Sequence, residues 1–252
     1  MKKNIYILFF ILLSCSSKKA GKQVIYNEDN ISFSETAKID VFVFKIKKKY
    51  GVEDKLGNEL IKPIYSNIKI LDNQFILVNL NDKIGIFDKT GKQLIEPNFY
   101  SNINLYQTFE SKIEPFFIIT DIQNKKAIFS KTGKQIYPFE IDDFDSDFTY
   151  KNQVYFSISK NKEVPYKLNG KDYFFSTETK FIKIKNDTIQ VLLEGKSQIK
   201  KFKNNLVSFY FIDNTVQTGL FDLNTDKNIV LTGDYYYNES TDEIWAKTAT
   251  YF

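Results

Sequence analysis

The sequence predicts an all-β fold made of repeated meanders, and three observations predict it. A glycine-centred segment recurs along the chain. Apolar runs rich in Ile, Val, Phe and Tyr alternate with short polar turns. No window after the first residues carries a capped helical period. Hydrophobic residues make up 42% of the 252-residue chain and aromatics 16%, enough to build a core and too much for intrinsic disorder.

The amino-terminal segment stands apart. Met1-Lys2-Lys3 is followed by nine apolar residues from Ile5 to Leu13, a basic start and a short apolar run of the secretory type. Nine residues are too few to cross roughly 30 Å of hydrocarbon. Leu12-Leu13-Ser14-Cys15 comes next, and Cys15 is the only cysteine, so no disulfide framework exists. The tetrad resembles the bacterial lipobox. That resemblance implies cleavage after residue 14, acylation of Cys15 and attachment to a membrane, which takes two or more acyl chains to be stable. Ser16 resembles the pattern that permits sorting to the outer membrane of double-membraned bacteria. Residues 1–14 are thus expected to be a leader, 15–23 a lipidated cysteine with its polar tether, and 24–252 a β-repeat domain.

Within that domain, Ile86-Phe87-Asp88-Lys89-Thr90-Gly91-Lys92-Gln93 and Ile128-Phe129-Ser130-Lys131-Thr132-Gly133-Lys134-Gln135 share seven of eight positions. An upstream copy runs Gly51-Val52-Glu53-Asp54-Lys55-Leu56-Gly57 and on to Pro63. Gly57, Gly91 and Gly133 occupy the turn position that needs a positive φ. Pro63, Pro97 and Pro138 follow them and, lacking a donor, are expected to end their strands. Tyr65-Ser66-Asn67-Ile68 is echoed by Tyr100-Ser101-Asn102-Ile103. Phe75 to Leu80, the turn Asn81-Asp82 and Ile84 to Phe87 read as a hairpin, and Gln93-Leu94-Ile95 as a third strand; Phe116 to Ile119 and the turn Gln123-Asn124 repeat the plan. A three-stranded meander per repeat is expected, over about 41–68, 75–103 and 116–144.

This pattern resembles the WG-repeat family of bacterial proteins. The signature tryptophan is replaced, since the dipeptide reads Tyr50-Gly51, Ile84-Gly85 and Lys126-Ala127. The resemblance implies a β-rich repeat scaffold and little about activity. Thr218-Gly219-Leu220-Phe221-Asp222 reads as a further copy and Asp172-Tyr173-Phe174-Phe175-Ser176 as a degenerate one, giving degenerate repeats over about 154–184 and 206–237. Val154 to Ile158, Phe181 to Ile184, Thr188 to Leu193 and Leu206 to Ile212 read as strands, and the residues around Trp245 as a closing strand. A meander cannot bury its apolar face alone, so repeats must stack, as an open curved array or a propeller-like ring.

Composition narrows the chemistry. All 35 cationic residues are lysine, and removal of Lys2 and Lys3 leaves 33 against 31 carboxylates. Without guanidinium forks or a basic excess, no nucleic-acid partner is expected. Histidine is absent, which removes the Ser-His and Cys-His nucleophile systems and the main zinc ligand. The aspartates of Asp142-Asp143-Phe144-Asp145-Ser146-Asp147 alternate as a calcium loop begins, but Phe148 stands where such a loop needs glycine and Val154 where it needs glutamate. A solvated acidic turn is expected there, with no metal and no cofactor. Carboxylate pairs such as Glu110 with Glu114 or Asp142 with Asp145 can be picked freely from 31 acidic residues and single out no catalytic site.

Aromatic side chains carry the remaining functional content. Tyr235, Tyr236, Tyr237, Phe99 and Tyr100 form candidate stacking faces for a glycan or peptide, and Val24 to Phe33 a candidate edge strand for another chain. The expectation is a non-enzymatic module, lipid-anchored at Cys15 in the cell envelope, that binds protein or glycan there. A carboxylate-dependent envelope glycan hydrolase and an assembly or transport accessory are the alternatives.

Overall fold

The computed structural model describes residues 23–25, 40–107, 113–195, 199–201, 205–213, 215–231, 235–238 and 243–246. The all-β expectation holds: among the described residues there is no helix.

Five four-stranded antiparallel sheets follow one another along the chain, and a two-stranded pair comes last. The first sheet holds β1 (Gln23–Ile25), β2 (Val41–Ile46), β3 (Lys49–Asp54) and β4 (Glu59–Tyr65). The second holds β5 (Asn67–Leu71), β6 (Phe75–Leu80), β7 (Lys83–Asp88) and β8 (Gln93–Asn98), and the third β9 (Tyr100–Tyr106), β10 (Phe116–Asp121), β11 (Lys126–Ser130) and β12 (Gln135–Ile141). The fourth holds β13 (Asp143–Tyr150), β14 (Gln153–Leu168), β15 (Lys171–Lys185) and β16 (Thr188–Gly195), and the fifth β17 (Ile199–Lys201), β18 (Leu206–Asp213), β19 (Thr215–Asp222) and β20 (Lys227–Leu231). β21 (Tyr235–Asn238) pairs with β22 (Glu243–Ala246), so the segment around Trp245 is a strand, but among the described residues it pairs with β21 alone and closes no other sheet.

Each repeat is therefore four strands, not three. The missed strand is the first of each sheet: Tyr65-Ser66-Asn67-Ile68 straddles a boundary. Ser66 already donates its N–H to Asn79 O at 2.8 Å, and Asn67 pairs with Asn79 in the next sheet. The prolines correct a second expectation. Pro63, Pro97 and Pro138 lie inside β4, β8 and β12 rather than ending them. Each of these strands is the outermost of its sheet and is bulged against its neighbour, so the missing donor breaks no regular ladder.

Cores form between sheets in sequence order. Val41, Val43, Val52 and Ile61 of the first sheet pack on Ile68, Ile76 and Val78 of the second, while Phe75, Ile86 and Ile95 on the opposite face of the second pack on Ile103, Phe117 and Ile119 of the third. Period-two alternation is what lets one strand serve two cores: Ile76 and Val78 face back, Phe75 faces forward. Phe116, Ile128 and Ile141 meet Phe156, Ile158 and Ile182 of the fourth sheet; Phe148, Tyr155 and Phe181 on its other face meet Val207, Phe209 and Phe221 of the fifth.

The turns repeat as well. Asp88 Oδ1 accepts from the N–H groups of Thr90 and Lys92 at 2.9 and 3.0 Å, Asp54 Oδ1 from Leu56 and Asn58 at 2.8 Å each, and Asp222 Oδ1 from Asn224 at 2.9 Å. Gly57, Gly91 and Gly133 have φ of 83, 85 and 85°, as expected. Asp172 to Ser176, read as a degenerate copy, instead lies in the outer half of β15 with no such turn, whereas Thr218 to Asp222 takes the place in β19 that Ile84 to Asp88 holds in β7.

Candidate functional site

Two surface features depart from plain sheet packing. The first is the row of bulges. A large side chain follows each bulge proline: Ile64 after Pro63, Phe99 after Pro97 and Asn98, Phe139 directly after Pro138. Ile64 is 46% exposed and Phe99 54%, and Lys83 Nζ stands 4.9 Å from the centre of the Phe99 ring. Tyr100, half-buried, stacks on Phe139 at 5.9 Å and 16° between planes, so rings from the first and last strands of the third sheet meet. Phe139 also touches Phe129 at 6.0 Å. Phe99 and Tyr100, adjacent in sequence, thus divide: one faces solvent, the other supports the packing.

The bulges also explain the glycine of the recurring dipeptide. A Cβ at Gly85 would come within 2.8 Å of Pro97 Cγ, and one at Gly51 within 2.7 Å of Ile61 O. At Ala127 the third sheet carries a methyl, fully buried.

The second feature is a ribbon. β14 and β15 run 16 and 15 residues, far longer than their neighbours. β13 pairs β14 only as far as Ser159, and β16 pairs β15 only from Thr179 onward. The remainder, closed by Asn169-Gly170 with φ of 52 and 75°, extends as two strands alone. Tyr166 and Tyr173 stack across it at 5.5 Å, and Phe174 is 63% exposed. Sequence reasoning missed this element because Lys160-Asn161-Lys162-Glu163 reads as loop, although Asn169-Gly170 between Val164-Pro165-Tyr166 and Tyr173-Phe174 is a strong hairpin signal.

The acidic segment is a strand, not a turn, because Phe144 and Phe148 are drawn into cores on either side of a bulge at Asp145. Its carboxylates are dispersed among separate partners. Asp142 takes a hydrogen bond from Lys125 Nζ and one from the Asn161 N–H at 2.7 Å, and the Lys125 bond above all holds its pKa below the usual range. Asp147 accepts from Tyr106 OH at 2.6 Å; burial first, and that bond second, push the phenol far up. Packing around the Asp145 carboxyl raises its pKa, opposed by the Ser159 hydroxyl at 3.2 Å, although the residue as a whole is exposed. Among the described residues no cluster of three or more acidic, Cys or His groups could hold a metal.

Glu114 pairs with Lys131 at 2.7 Å, and Glu110 lies outside the described residues. A crevice of about 60 Å³ between the third and fourth sheets, lined by Glu114, Phe116, Ile136, Val154 and Ile184, has room for little more than water. Tyr235, Tyr236 and Tyr237 lie in β21, in register with Ala246, Trp245 and Ile244; their side chains, like Cys15, lie outside what is described. Of Val24 to Phe33, only Val24 and Ile25 are described; they pair within the chain, against Phe44 and Val43.

No known family's sequence model matches this chain, and no curated protein matches it. Among solved structures, it is similar to the crystal structure of the tricorn protease at 12% identity, with 82% of this chain and 25% of that one covered and a TM-score of 0.30. The chain spans about a quarter of that protein, and a likeness this distant assigns no chemistry.

Proposed function

We propose that the protein is a non-enzymatic β-repeat module, anchored outside a bacterial membrane by acylated Cys15, that holds a glycan or protein ligand of the cell envelope along the row of proline bulges. The observation that carries the ligand half is the exposed pair Ile64 and Phe99 at successive sheet boundaries, with Lys83 over Phe99 and the Tyr100–Phe139 stack beyond. An exposed aliphatic side chain, Ile64, and one sheet further on an exposed ring flanked by a cation, Phe99 beside Lys83, suit an extended ligand that is gripped at several weak points. The anchor half rests on the Leu-Leu-Ser-Cys tetrad behind a basic, apolar leader.

The ligand half is tested by sedimentation of the purified protein with insoluble cell-wall glycan, comparing the parent with Phe99→Ala combined with Ile64→Ser. A loss of tenfold or more in bound fraction is expected, and equal binding by both would refute the assignment. The anchor half is tested separately by metabolic labelling with an alkyne fatty acid, where Cys15→Ala should abolish the label. An unlabelled parent would overturn it.

A further inference from the structure

We infer that the outer edge of β15, from Lys171 to Glu178, is the docking edge for the same edge of a second copy of this chain. Two-stranded ribbons are marginal in water, and a strand with unpaired amides is a template for another strand. Among the described residues no strand pairs with these eight positions on the side away from β14. The opposite edge of the ribbon is guarded. Pro165 removes a donor there, and the register shifts between Asn161 and Val164. The β15 edge carries no proline and no bulge; at its middle Phe174 is 63% exposed, with Tyr173 at 41% beside it.

Register follows from the hairpin. Leu168 and Lys171 flank a two-residue turn, so they exchange hydrogen bonds, and Tyr166–Tyr173 is the next such pair. Asp172, Phe174 and Ser176 therefore turn their N–H and C=O groups outward. Two identical antiparallel edges can join only where outward groups meet. A centre at Phe175 would set Asp172 opposite Glu178 of the copy, carboxylate facing carboxylate, and a centre at Tyr173 would shorten the ladder. Centring on Phe174 places Phe174 against Phe174 and Asp172 against Ser176, with no like charges opposed. A two-fold pair of this kind closes on itself and does not propagate.

Sedimentation equilibrium on the full chain, purified in detergent, tests the pairing. The expected mass is twice that of one chain, falling to one chain in Phe174→Lys; a single-chain mass in the parent, or a dimer indifferent to Phe174→Lys, overturns the inference. Disulfide trapping tests the register in a Cys15→Ser background, free of other cysteines. Phe174→Cys should cross-link under mild oxidation, since directly opposed Cα atoms stand about 5.5 Å apart. Tyr173→Cys should not, because its copy lies two residues off register. Equal cross-linking at both positions sinks the proposed pairing, and far-ultraviolet circular dichroism confirms that each variant keeps its strands.

Discussion

The turn glycine Gly133 lies against the main chain of Leu94 so closely that a Cβ built on it would stand 2.1 Å from the Leu94 carbonyl oxygen. Gly91 repeats the relationship one sheet earlier, at 2.5 Å from Leu60 O. Gly57 shares the positive φ but has nothing within 4 Å. The three separate backbone strain from close packing. Gly57→Ala should cost about 1–2 kcal/mol, the left-handed penalty alone. Gly133→Ala should cost a further 1–3 kcal/mol or so for overpacking. Urea midpoints with unchanged slopes would check both, and equal losses at the two sites would contradict the seat.

Phe156 joins the third and fourth sheets. Its ring meets Phe116, Tyr106 and Phe144 within 6 Å, and it is 1% exposed. Phe156→Ala should cost roughly 3–5 kcal/mol and Phe156→Leu markedly less. Chemical unfolding would measure it.

Lys183 is buried on the face of the fourth sheet that turns to the fifth, and it meets Asp226 at 2.6 Å. Asp226→Ala leaves that ammonium without its partner and should cost on the order of 2–3 kcal/mol. Adding Lys183→Met should recover most of the loss. A double variant no more stable than Asp226→Ala would show that the pair is not the source.

Acid should expose two aspartates of opposite sign. Asp142 is held low by Lys125, so its stabilisation is full above the unfolded carboxylate value near 4 and is lost as pH falls through the lowered folded value. Asp142→Asn should therefore destabilise the protein at pH 7, by about 1 kcal/mol for so partly exposed a pair, and flatten the acid limb. Asp145 is raised by burial, so its ionisation opposes folding once pH passes the unfolded value. Asp145→Asn should stabilise near neutrality and change nothing at low pH. Thermal melts across pH 3 to 7 would distinguish them.

The hairpins were legible because alternation and turn chemistry are local: Asn81-Asp82, Asn124, Gly91 and Gly133 take the positive φ their residue types favour. The fourth strand was not, since Asn67–Leu71 is short and follows Tyr65 and Ser66 without a turn signal, and only its ladder with Phe75–Asn79, begun by the bond of Ser66 to Asn79, assigns it. The prolines misled because donor loss is harmful only inside a regular ladder, and no sequence pattern marks an outermost strand with a bulge. Phe99 is singled out by its type; that it faces solvent while Tyr100 packs on Phe139 depends on a residue at the far strand of the third sheet, 39 positions beyond Tyr100.

The two Tyr-Ser-Asn-Ile tetrapeptides, beginning at Tyr65 and Tyr100, sit at equivalent boundaries between sheets. An exchange of genetic material between them would delete or duplicate one whole sheet, with the sequence at the join unaltered. In the deleted chain Gly133 would take the seat on Leu60 that Gly91 holds now, main chain against main chain, with little regard for side-chain identity. The array is thus built to change its length in units of one sheet, and related chains should differ in sheet number more readily than in the architecture of any single sheet.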